Sequence, residues 1–188
     1  MIAMFESIFA GCLITFLLLA AGSIIITTIQ NGISPMPTSY KVKKKVLETI
    51  PPETKGNVYE LGSGWGTLAF PIAKNLPHCH LDAYENSYFP YAFSVLRKTL
   101  SPFKNLELHY QDFLDISLKD SNLIICYLYP GAMKRLKEKM EKELTKECVV
   151  ISHTFAVPGW EAEKVSEVDD LYNTKIYFYR FGTTKEIK

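Results

Sequence analysis

The chain has 188 residues, with 47% hydrophobic and 13% aromatic side chains and only 10 Gly and 10 Pro, which excludes disordered, collagen-like and low-complexity classes. All 21 Lys and Arg and 19 of the 20 Asp and Glu follow residue 40, so the polar part is nearly neutral and has no cationic excess that would call for nucleic acid. Cys12, Cys79, Cys126 and Cys148 are isolated from one another, which suits neither a disulfide framework nor a zinc ribbon and points to a reducing compartment.

Residues 1–7 form a short flank. Residues 8–29, Ile8 to Ile29, contain no charge, and as a helix rising about 1.5 Å per residue they match the roughly 30 Å hydrocarbon core of a bilayer. The start lacks the basic region of a cleavable signal or a transit peptide, so this segment is expected to remain as a transmembrane helix. Lys41, Lys43, Lys44 and Lys45 lie on one flank and no basic residue on the other, which places the C-terminal remainder of the chain on the cytoplasmic side of a single-pass protein. A bacterial inner membrane and a mitochondrial inner membrane both fit.

Residues 30–39 read as a linker with Gly32, Pro35 and Pro37, ending in Thr38 or Ser39 as a helix cap. From Tyr40 to Ile50 the apolar stripe Val42, Val46, Leu47 and Ile50 predicts a helix. The chain then alternates: strand Asn57 to Leu61, helix Thr67 to Asn75, strand His80 to Tyr84, helix Pro90 to Leu100, strand Leu106 to Tyr110. Strand Asn122 to Tyr129, helix Met133 to Leu144 and strand Cys148 to Phe155 come next, and Glu161 to Asp170 with Thr174 to Phe181 read as a closing hairpin. Residues 40–188 are therefore expected to be one α/β domain, a Rossmann-like, doubly wound, mostly parallel seven-strand sheet ending in an antiparallel hairpin.

The first strand runs into Glu60-Leu61-Gly62-Ser63-Gly64-Trp65-Gly66-Thr67. Glycines there let bare backbone approach a ligand at a helix N-terminus. A nicotinamide fingerprint needs its third glycine where Thr67 stands, and Glu60 would repel a pyrophosphate but suits an ammonium group. Glu85, at the end of the second strand, can accept both hydroxyls of a ribose; its rival Asp82 points elsewhere by the two-residue alternation. The pattern favours a nucleoside with a cationic tail over a dinucleotide.

These residues resemble the class I, seven-strand S-adenosyl-L-methionine-dependent methyltransferases, over nearly everything after residue 36. The resemblance implies that S-adenosyl-L-methionine is held by Glu60, Gly62, Ser63, Gly64 and Gly66 of the turn, by Glu85 and Asn86, and by Asp112 and Phe113 near the adenine, with Thr38 closing over it. Within that fold, the apolar N-terminal helix, Pro37-Thr38-Ser39, the turn Tyr59 to Gly66, Tyr129-Pro130-Gly131 and Pro158-Gly159-Trp160 resemble a narrower family. It comprises membrane-anchored protein-lysine methyltransferases that include those of the ATP synthase c subunit and the adenine nucleotide translocase. Trp65 departs from the small acidic residue common at its position in that family.

Methyl transfer to lysine needs a deprotonated amine, which a dry aromatic pocket favours by lowering the lysine pKa. Tyr129, Pro130 and Trp160, with Tyr127, are the expected wall. His78-Cys79-His80 alternates sides along a strand and is not expected to hold a metal. The expected partners are a membrane and a membrane-protein substrate, with the oligomeric state open. The alternatives are a lipid or small-molecule methyltransferase at the bilayer surface and a non-catalytic adaptor on the same fold.

Overall fold

The computed structural model describes residues 2–32 and 36–182. An N-terminal helix, α1 (Ile2–Asn31), has an apolar window, Met4–Ile26, with mean hydropathy 2.5, long enough by length and composition to cross a membrane. Then come α2 (Tyr40–Thr49), β1 (Asn57–Leu61), α3 (Ala69–Asn75), β2 (His80–Glu85), α4 (Tyr88–Thr99) and β3 (Leu106–Tyr110). A 3-10 turn at Phe113–Asp115 leads to β4 (Ser121–Cys126), α5 (Pro130–Glu143), β5 (Cys148–His153), β6 (Lys164–Glu167) and β7 (Lys175–Phe181).

The seven strands form one sheet in the order β3-β2-β1-β4-β5-β7-β6, with β7 antiparallel to both neighbours and the other pairs parallel. The strand order reverses between β1 and β4, and the crevice beyond the carboxyl ends of such strands is where open α/β sheets bind ligands. Each face of the sheet has its own core. Val46, Ile72, Leu81 and Leu123 pack under α2 and α3, whereas Leu61, Ile124, Met133, Leu136 and Tyr179 pack under α5. Along α5 the period-3.6 stripe Met133, Leu136, Met140 is wholly buried.

Several boundaries differ from the sequence expectation, each for a local reason. Strand β4 ends at Cys126, not Tyr129, because its last partners are Leu61 on β1 and Ser152 on β5; β1 then turns at Gly62 and leaves Tyr127 without a ladder. Helix α5 starts at Pro130, three residues early, since proline in the first turn lacks only an N–H that would have no intrahelical acceptor. The same holds for α4, which starts two residues before Pro90. Strand β6 is confined to Lys164–Glu167 because Val168 and Asp170 enter the turn: the Asp170 carboxylate accepts from the Tyr172 and Thr174 backbone N–H groups and the Thr174 hydroxyl. Helix α2 is capped by Ser39, whose Oγ accepts the Val42 N–H at 3.3 Å.

Candidate active site

Beyond the carboxyl ends of β1, β2 and β4 lies a cavity whose floor is the glycine turn. Gly62 has φ 76° and a Cβ there would lie 2.9 Å from Leu128 Cδ2, so only glycine fits without displacement. The Gly62 and Ser63 N–H groups both donate to the Tyr84 carbonyl at 2.9 Å, tying the turn to β2. Gly64, with φ 54°, has open space where a side chain would stand, and its N–H donates to Glu85 Oε2 at 2.7 Å. Glu85 Oε1 accepts the Ser87 N–H, also at 2.7 Å. Each carboxylate oxygen of Glu85 keeps a second lone pair, two acceptor positions side by side on a fixed group.

Glu60 lines the same cavity, is 3% exposed, and has one carboxylate oxygen, Oε2, with no hydrogen-bond partner. Burial, reinforced by the nearby Glu85 charge, holds its pKa well above the ordinary carboxylate value. A buried, unpartnered acid beside a second acid is costly alone, and a cation brought to it would satisfy both. The site therefore suits a ligand with an ammonium group near Glu60 and vicinal hydroxyls near Glu85. On the third side, Asp112 accepts the Leu114 N–H at 2.9 Å, which fixes its carboxylate at the rim beside Phe113.

Of the residues singled out from sequence, Thr38, Glu60, Gly62, Ser63, Gly64, Glu85, Asn86, Asp112, Phe113 and Tyr129 line this one cavity, as does Tyr127. Thr38 reaches it because its backbone N–H donates to Thr67 Oγ1 at 3.2 Å. Gly66 lies beneath the lining and is needed for packing: a Cβ there would stand 2.7 Å from the Phe70 ring. Tyr127 is half-buried, its ring stacked 4.3 Å from His153. The ring of Tyr129 covers the backbone of Gly32, where a Cβ would lie 2.8 Å from it. Pro130, exposed, serves as the first residue of α5 and does not line the cavity.

Trp160 is a correction. It is 8% exposed on the α5 face of the sheet, its indole N–H donates to Glu141 at 2.8 Å, and its ring packs on Tyr179 and Phe181, so it walls no part of the cavity. Gln111, Ser87 and Arg135 line the cavity and were not singled out. Ser87 was legible as the cap position after the Glu85 strand; Gln111 and Arg135 carried no signal. Asp82 goes to His109 at 2.7 Å, away from the cavity. His78 and Cys79 share the Thr54 carbonyl, while His80 lies near Asp82 and Glu107, so the His78-Cys79-His80 run does not converge.

A family model described as the ANTKMT methyltransferase domain matches residues 60–164. A curated protein named protein-lysine N-methyltransferase, from Saccharolobus islandicus (strain REY15A), is 26% identical over 153 residues, spanning 80% of this chain and 94% of that protein. Among solved structures, an RNA methyltransferase from Salinibacter ruber in complex with S-adenosyl-L-homocysteine superposes with a TM-score of 0.65 at 19% identity, covering 77% of this chain and 93% of the other. A SAM-dependent methyltransferase from Aquifex aeolicus gives a TM-score of 0.59 at 14% identity, covering 73% and 88%. At those identities the structures establish the fold, and the seven-strand arrangement with its terminal hairpin is the one expected from sequence.

Proposed function

The chain belongs to the ANTKMT methyltransferase domain family, and from that premise we propose that it is a membrane-anchored, S-adenosyl-L-methionine-dependent protein-lysine N-methyltransferase acting on a membrane protein. The observation that carries the cofactor assignment is Glu60, a buried acid with an unpartnered oxygen in the same cavity as the fixed carboxylate of Glu85. The lysine assignment is supported by the family and by the Saccharolobus islandicus protein, nearly all of whose length this chain spans. The membrane assignment is supported by α1 and by the four lysines C-terminal to it.

When bound, S-adenosyl-L-methionine supplies a methyl group on a positively charged sulfur, already activated for displacement. Glu60 takes the ammonium end, Glu85 accepts the ribose hydroxyls through its free lone pairs, and Asp112 with Phe113 borders the base. Asn86, next to Glu85 and lining the same cavity, would help to hold the nucleoside. Gly62 and Gly64 allow backbone to come close where a side chain would intrude. Tyr127 and Tyr129 line the cavity, Tyr127 with its ring stacked on His153, and such aromatic walls exclude water from an incoming lysine, which favours the neutral amine. Alignment and desolvation are then the protein's contributions to an in-line transfer.

Labelled methyl from S-adenosyl-L-methionine, offered to membranes lacking the protein together with wild type or Glu85→Ala, tests this reading. Label in a protein band that the variant fails to produce supports it. Label confined to the lipid fraction replaces it with lipid methylation at the bilayer surface.

A further inference from the structure

Helix α4 is inverted relative to the other helices of the domain. Its only buried side chains are Pro90 and Ser94, and Ser94 Oγ donates to the Gly64 carbonyl at 3.2 Å, so the small, polar side of the helix faces the protein. Phe89 and Tyr91 are half-buried, whereas Phe93 is 50% exposed, Leu96 63% and, at the C-cap, Leu100 86%. The spacing of these last three places them on one stripe, the periodicity that in α5 marks the buried side. Trp65 of the glycine turn packs edge-on against Phe93 with centroids 5.6 Å apart, extending the stripe toward the cavity. Tyr88 and Tyr110, both exposed by 55%, sit edge to face 6.0 Å apart beside it.

Two observations identify what covers this surface. The first is charge: α4 and the residues just after it, 88–105, hold Arg97, whose guanidinium lies over the Phe70 ring at 4.2 Å, Lys98 and Lys104 and no acid, a basic segment that suits an anionic bilayer surface. The second is position. Helix α1 contacts α4, and the half-buried residues of α1, Ala20, Gly22, Ser23, Ile24 and Thr28, all lie in its C-terminal half. A helix packed against the C-terminal half of a membrane span, the half that leads into the domain, is held against the bilayer and not in bulk water.

We propose that the outward face of α4, with Trp65 at its edge, is a second membrane contact that rests in the lipid headgroup layer and holds the cavity mouth at the bilayer surface. The inference rests on reading α1 as a membrane span. Its consequence for the site is selection by depth. Trp65 and the start of α4 flank the cofactor cavity, and the Tyr129 ring at its rim lies on Gly32 just past α1, so a lysine must stand within the headgroup layer of the same membrane to enter. Trp65 then has a role as an interfacial aromatic.

The chain has two tryptophans, so Trp160→Phe leaves Trp65 as the sole tryptophan, read by excitation at the red edge where tyrosine does not absorb. The full-length variant is reconstituted into phosphatidylcholine and phosphatidylglycerol vesicles, with or without lipid brominated near the headgroup end of the acyl chains. Comparing wild type with Trp65→Phe gives the same readout by subtraction where Trp160→Phe does not fold. The expected result is co-flotation with the vesicles and loss of about half the Trp65 emission with brominated lipid, restored by Phe93→Asp combined with Leu96→Asp. A chain that does not float overturns the membrane anchor and this seating with it. A chain that floats with Trp65 emission unaffected by bromine overturns the seating alone, and a dimeric mass in that case assigns the face to a second copy.

Discussion

Replacing Glu60 by Gln separates a ligand-binding acid from a structural one, because the two roles move stability and affinity in different directions. Glu60 is 3% exposed with an unpartnered carboxylate oxygen, and burial, then Glu85, raises its pKa. Its folded pKa exceeds the unfolded value, so its favourable contribution to the free protein is complete below the ordinary glutamate pKa of 4.5 and is lost as pH rises through the raised value. Gln keeps the volume and removes that titration, so the free variant is expected to be as stable as wild type, or about 1 kcal/mol more stable, at pH 8. Binding changes the other way. Losing a charge-assisted contact to an ammonium group costs about 1.5–3 kcal/mol, or roughly 10- to 150-fold in affinity for S-adenosyl-L-homocysteine, which keeps the amino-acid end. Calorimetric titration and thermal denaturation of the same preparations give both numbers. An affinity within about twofold of wild type combined with a lower melting temperature would refute the assignment.

Other expectations rest on single contacts. His153 is 3% exposed and burial lowers its pKa to about 4, so the unfolded chain takes up a proton first as pH falls below 6.5; denaturant titration should show wild type losing about 3 kcal/mol between pH 6.5 and 4 that His153→Gln does not lose. Tyr179→Phe leaves the Val157 N–H, which donates to the Tyr179 hydroxyl at 2.9 Å, unpaired in the core, and should lower stability by about 1–3 kcal/mol with cofactor affinity unchanged in the same titration. Gly66→Ala combines a φ of 68° with a Cβ 2.7 Å from Phe70 and should cost about 2–5 kcal/mol on thermal denaturation. Gly64→Ala, where space is open, should cost only about 1–2 kcal/mol of stability yet weaken S-adenosyl-L-homocysteine binding more than tenfold, roughly, since the added methyl enters the ligand's space.

The strands were legible where a sharp change of pattern marks their ends. Residues 57–61 and 106–110 have the expected bounds because Gly56 and Gly62 punctuate the first and Asn105 and Gln111 bracket the second. The run Leu123 to Tyr129 gave no such mark: its end is set by where the neighbouring strands stop, a property of β1 and β5 and not of the run itself. Ten of the site residues converge on one cavity because the glycine turn and the strand-terminal acids are local signals tied to sheet topology. Trp160 failed for the opposite reason, since nothing near Pro158-Gly159 specifies which face of the sheet the chain will take after β5; the indole's partner, Glu141, lies on α5, 19 residues earlier and across β5. The inversion of α4 was also hidden. Its periodicity is that of a core helix, and the burial of Pro90 and Ser94, with the hydrogen bond from Ser94 to Gly64, reveals which side faces in.

The most direct test of the central claim is the chemical position of the transferred methyl group. Full-length protein, labelled S-adenosyl-L-methionine and membranes lacking the protein are incubated, and the protein fraction is hydrolysed to free amino acids and separated. The account predicts label in N-methylated lysine, reduced roughly 10- to 150-fold when Glu60→Gln replaces wild type at subsaturating cofactor. Label recovered in any other amino acid, or in lipid with none in protein, contradicts it.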